Sequence, residues 1–106
     1  MGRFLVKRLS NRLQALADQV IPGSIVVDVG TDHAYLPLYL VERGICPRVI
    51  GIEINPGPLQ SARNQVASAG LTHQILIRQG NGLQAICPGE AQVGVIAGMG
   101  GKTICE

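Results

Sequence analysis

The stretch that decides the fold is Val26–Pro37, VVDVGTDHAYLP. It starts as a strand, with β-branched residues and apolar side chains alternating about Asp28. It breaks at Gly30 and passes through Thr31, Asp32 and His33 into the helical run that starts at Ala34. A buried strand therefore ends in two acids, a glycine and a histidine. Burying carboxylates costs free energy unless something pairs with them, so this strand mouth calls for a ligand or an internal partner.

Working outward from it, strands and helices alternate. Lys7 to Val20 has helical periodicity, with Leu9, Leu13, Leu16, Ala17 and Val20 on one face, and Ile21-Pro22-Gly23 stops it. Ser24 to Val29 reads as the first strand and Ala34 to Arg43 as the next helix, with Pro37 tolerated in its first turn. Val49 to Ile54 is a second strand. Asn55 and Pro56 suit the start of a helix that runs to about Ala69. Gln74 to Arg78 and Gln92 to Ala97 read as further strands, with one helical turn expected over Leu83 to Ile86. This order predicts an α/β fold with a parallel sheet and right-handed crossovers. In such sheets ligands bind at the carboxyl ends of the strands. Those ends carry Asp28 and Gly30, Glu53 and Ile54, Asn81 and Gly82, and Ala97, Gly98 and Met99.

The bulk composition fits one domain, residues 1–106. It is 46% hydrophobic and 15% charged, which suits a packed core and not a disordered chain. The net charge of +2 is mild, and Phe4, Tyr35 and Tyr39 are the only aromatics, so a base-stacking platform is not expected. Arg3, Lys7, Arg8 and Arg12 form the one basic cluster, which reads equally as a solvated helix face or an RNA contact. Cys46, Cys87 and Cys105 are far apart and form no CxxC pair, so no metal site or disulfide framework is expected. No apolar run reaches the roughly 20 residues of a membrane span and no signal peptide is read, so a cytoplasmic protein is expected.

The strand ends carry chemistry. Gly30 lets the backbone approach a ligand, and the N–H groups after it suit a carboxylate. A dinucleotide fingerprint would need further glycines, and Asp32 would repel a pyrophosphate there, which disfavours a nicotinamide cofactor. Glu53 is placed to accept from ribose hydroxyls, unless it is a capping or solvated carboxylate. Asn81 has an amide suited to an adenine edge, or makes a plain Asn-Gly turn. Asp28 and Asp32 suit an ammonium group. A ligand with ammonium, carboxylate, ribose and adenine is S-adenosylmethionine.

Five segments in order, LSNRL (9–13), DVGTDHAYLP (28–37), GIEINPGPLQSA (51–62), RQGNGL (78–83) and VIAGMGG (95–101), closely resemble the bacterial TrmK family, the tRNA (adenine(22)-N(1))-methyltransferases. The resemblance implies a Rossmann-like class I methyltransferase fold, S-adenosylmethionine as cofactor and tRNA as substrate. It puts Gly30, Asp32, Glu53, Asn81, Gly82 and Ala97 at cofactor-binding positions, with Asp28, Ile54 and Gly98 beside them. It puts Arg12, His33, Tyr35 and Met99 near the target base. Asp32, His33 and Arg12 are the catalytic candidates. Asp32 would stabilise charge developing on the methylated base. His33 would accept a proton or contact phosphate, or would be a helix-start residue bonding the backbone. Arg12 would hold an RNA phosphate or the flipped base, or be a surface arginine.

Two features depart from the family. Asn81 stands where the family usually has Asp, which implies weaker cofactor binding. Family members also continue beyond AGMGG with further strands and a helical domain. The chain is therefore read as the N-terminal half of the fold, with an open fourth-strand edge available for self-association. The alternative is an inactive, cofactor-binding fragment of such an enzyme.

Overall fold

In the computed structural model the described residues are Val6, 8–81, and the backbone of 93–96 and 102–105. Eight elements follow in order: α1 (Asn11–Asp18), β1 (Ile25–Val29), α2 (Tyr35–Glu42), β2 (Arg48–Glu53), α3 (Pro56–Ser68), β3 (Ile75–Gln79), β4 (Val93–Ile96) and β5 (Lys102–Cys105). The turn expected over Leu83 to Ile86 lies outside the described residues.

The helix ends have local causes. α1 starts at Asn11, later than the apolar periodicity, because the Ser10 hydroxyl caps it by accepting from the Leu13 amide at 3.3 Å. Pro37 is the third residue of α2, where its missing N–H is one that the helix leaves unpaired in any case. Gly44 (φ +70°) ends α2 in the left-handed conformation. Asn55 precedes α3 but makes no side-chain cap. Its amide is turned to Glu53 instead.

The strands form one sheet in the order β3-β2-β1-β4-β5. The β1–β2, β2–β3 and β1–β4 pairs are parallel, as the alternation of strands and helices requires. β5 pairs antiparallel with β4, with Val95 opposite Thr103. This corrects the expectation of an open fourth-strand edge for self-association: β5 covers the outer side of β4. The signal was present but short. Lys102–Cys105 follows β4 after five residues that include Gly98, Gly100 and Gly101, which is hairpin spacing.

The two sheet faces are covered differently. Val26, Val49, Ile75 and Ile77 face α1, α2 and α3 and meet Leu16, Leu36, Leu40, Leu59 and Val66 in the main core. Val27, Val29, Ile50 and Ile52 form a smaller cluster. By strand alternation it lies on the opposite face. Leu76, in line with Ile50 on edge strand β3, is 48% exposed.

Candidate functional site

The carboxyl ends of β1, β2 and β3 come together beside the start of α2. Asp28, near the end of β1, is 1% exposed, and its Oδ2 accepts from the Thr31 hydroxyl at 2.9 Å. Thr31 reaches it across Gly51, the β2 residue in register with Asp28. A Cβ at Gly51 would lie 3.1 Å from both Thr31 Oγ1 and Cγ2. A side chain on β2 would thus compete with the residue that holds the buried acid.

The loop from Gly30 to Ala34 is tightly wound. Gly30 (φ +74°), Asp32 (φ +56°) and Ala34 (φ +63°) are all left-handed, which disfavours the last two. Hydrogen bonds hold it there. The Gly30 and Thr31 amides donate to the Ile52 carbonyl at 2.8 and 3.0 Å, and the Ala34 amide donates to the Thr31 carbonyl at 2.9 Å. The Asp32 amide donates to Glu53 Oε1 at 3.0 Å. The N–H groups expected to receive a ligand carboxylate are therefore mostly committed to the protein.

Glu53, 6% exposed, joins the strand ends. Besides Asp32, it accepts at Oε2 from the Asn55 amide (3.1 Å) and side chain (3.3 Å). Its carbonyl accepts from Gly80 at 3.3 Å, just before exposed Asn81. A carboxylate has about four acceptor sites, so Glu53 is held in position and still retains room to accept. Ile54 is half-exposed beside it. Gly82, Ala97, Gly98 and Met99 lie outside the described residues.

A cavity of about 120 Å³ opens here, lined by Arg12 from α1 with Asp28, Gly30, Thr31, Asp32 and Tyr35. Four of the sequence candidates thus share one hollow with Gly30. His33 is not among its lining residues. Its Nδ1 meets the Ser61 hydroxyl of α3 at 2.5 Å, and its Nε2 lies 3.5 Å from Asp32 Oδ1. The ring centroids of His33 and Tyr35 are 5.4 Å apart, and Tyr35 is exposed. Sequence reasoning missed Thr31, Ser61 and Gly51. Only Gly51, a glycine inside an apolar strand, carried a signal of close approach. A hollow of about 380 Å³ lies around Arg48, His73 and Leu76. Arg48 and Gln74 put it at the opposite ends of β2 and β3, away from where open parallel sheets bind ligands. Among the described residues no three His, Cys, Asp or Glu side chains converge as metal ligands.

Comparison with known proteins agrees with this architecture. A family model described as a methyltransferase domain matches residues 9–106. The chain is 46% identical over 99 residues to the tRNA (adenine(22)-N(1))-methyltransferase of Bacillus subtilis (strain 168), covering 93% of this chain and 42% of that protein. Streptococcus pneumoniae Sp1610 in complex with S-adenosyl-L-methionine is 45% identical with a TM-score of 0.82, covering 87% of this chain and 44% of that one. M. capricolum TrmK in complex with S-adenosyl-homocysteine is 38% identical with a TM-score of 0.72, covering 78% of this chain and 37% of that one. The chain thus spans less than half the length of these relatives. With its mainly parallel sheet, its tightly wound loop after β1 and a family match over nearly its whole length, the chain belongs to the methyltransferase-domain family.

Proposed function

We propose that the chain binds S-adenosylmethionine along the ends of β1, β2 and β3 and serves a tRNA (adenine-N1)-methyltransferase in the cytoplasm. One observation carries the reading: residues chosen from sequence for separate parts of this cofactor lie side by side on one sheet edge. Asp28 and Asp32 line the cavity, Glu53 is bonded to the Asp32 amide, and Asn81 follows Gly80, which is bonded to Glu53. Acids suit the ammonium and tolerate the sulfonium. Glu53 retains acceptor capacity for ribose hydroxyls, and Asn81 offers an amide to adenine. Gly82, Ala97 and Gly98 complete the proposed cofactor set. The 46% identity to the Bacillus subtilis enzyme supports tRNA adenine as the substrate. No helix among the described residues is long and apolar enough to cross a membrane.

When bound, the cofactor supplies an electrophilic methyl group. The chain's own part is to orient and to place charge. The Asp32 carboxylate stands at the cavity mouth, where it serves the cofactor ammonium and also opposes the positive charge that N1-methylation leaves on adenine. His33, tied to Ser61 and next to Asp32, is placed to hold that carboxylate or to accept a proton. Exposed Tyr35, with Met99, is assigned to the target base. The test is calorimetric titration of the chain with S-adenosylhomocysteine, followed by methylation of transcript tRNA. Binding with methylation is the expected result. Binding by a folded chain that methylates nothing favours the second reading, a cofactor-binding piece without turnover. A folded chain that does not bind sinks both.

A further inference from the structure

The β1 cavity combines one guanidinium with two carboxylates. The two acids account for the ammonium of an amino-acid headgroup, and its carboxylate still needs a donor. Four of the loop amides that would be the natural choice are spent: Gly30 and Thr31 donate to Ile52, Asp32 to Glu53, and Ala34 to Thr31. Arg12 lines the same cavity from α1. A guanidinium presents five N–H donors in a planar fork that matches a carboxylate bidentately, so it can serve a ligand and keep a protein contact as well.

The position of Arg12 is informative in its own right. It is the second residue of α1, whose first turn has no acid. The positive end of the helix dipole disfavours a cation there. Helix stability does not favour an arginine at this place, and its fork has donors enough for a contact within the protein and for a ligand carboxylate. The cavity, at about 120 Å³, suits an amino-acid headgroup and not an adenosine.

We infer that Arg12 is a cofactor-binding residue, its guanidinium receiving the carboxylate of the S-adenosylmethionine headgroup while Asp28 and Asp32 face the ammonium. This deepens the proposed cofactor site and rests on it. It moves Arg12 from the RNA to the cofactor. Formal charges agree, since the site's one cation and two anions complement a ligand with two cations and one anion.

The experiment is a cycle that removes each partner in turn. The chain and Arg12→Ala are titrated by calorimetry with S-adenosylmethionine and with decarboxylated S-adenosylmethionine, with no methyl acceptor present. Circular dichroism checks that each protein is folded. The chain should prefer the carboxylated ligand by roughly ten- to a hundredfold, the usual range for a hydrogen-bonded charge pair. Arg12→Ala should bind both ligands about equally, and Arg12→Lys should recover part of the preference. A chain with no preference between the ligands overturns the inference without recourse to any variant. So does a preference that persists in Arg12→Ala. A shallower salt dependence of tRNA binding in that variant would then return Arg12 to the RNA. If the folded chain binds neither ligand, the cofactor reading itself falls, and the inference with it.

Discussion

Gly51 and Asp32 show how narrowly single residues are constrained around the site. Gly51→Ala would press on Thr31 and on Ile77 Cδ1, which an added Cβ would approach to 2.9 Å. The isoleucine tip can move, but Thr31 is tied to Asp28. We expect a loss of about 1–3 kcal/mol in denaturant unfolding, with weaker S-adenosylhomocysteine binding in calorimetry. Asp32 is left-handed and its side chain is 61% exposed, so its backbone suits glycine better than alanine. Asp32→Gly should be more stable than Asp32→Ala by about 1 kcal/mol in denaturant midpoints, although both lose the carboxylate and should bind cofactor poorly. Acids and glycines at strand ends were legible in the sequence because the residue types are unusual there. The pairings were not. That Ser61 meets His33, or that Glu53 holds the Asp32 amide, depends on crossovers that bring together residues 28 and 21 positions apart.

Elements were legible where periodicity was strong and blurred where a cap or a short strand decided. Apolar spacing marked α2, α3 and the first three strands to within about two residues. β5 was missed because its four residues cannot declare a period. α1 and Val6 before it are held against α2 by contacts that periodicity does not reveal. The Val6 amide donates to Glu42 Oε1 at 3.1 Å, and the Val6 carbonyl accepts from Arg43 at 2.8 Å. The Arg43 guanidinium lies 4.1 Å over the Tyr39 ring, whose hydroxyl accepts from Gln14 of α1 at 3.2 Å. Arg43→Ala should cost about 1–2 kcal/mol and speed hydrogen exchange of the α1 amides ahead of the sheet, as followed by mass spectrometry. Beyond α2, burial pushes the Cys46 thiol above its ordinary 9.0, and a hydrogen bond with Ser24 partly offsets this. The unfolded chain therefore loses the thiol proton first as pH rises, so the stability tied to this proton is full below 9.0 and declines above it. Comparison of alkaline unfolding curves for the chain and Cys46→Ala should show a shallower decline in the variant.

For the molecule as a whole, the parallel architecture followed from the order of elements, and the uneven covering of the sheet did not. Leu40 is fully buried among the helices, whereas Leu76 is 48% exposed on the far face. Leu40→Ala should cost about 2–5 kcal/mol, a large share of the roughly 5–15 kcal/mol that holds a domain together. Leu76→Ser should change stability by no more than about 0.5 kcal/mol in the same denaturant series.

The order β3-β2-β1 also bears on how the protein is made. These neighbours are laid down consecutively, so the edge that gathers Asp28, Asp32, Glu53 and Asn81 is fully synthesised before the ribosome reaches β4. The strand ends that carry these four residues are thus complete early in synthesis. A small molecule that binds these strand ends only when they are folded would stabilise them by mass action, and the topology would then couple its supply to the success of synthesis.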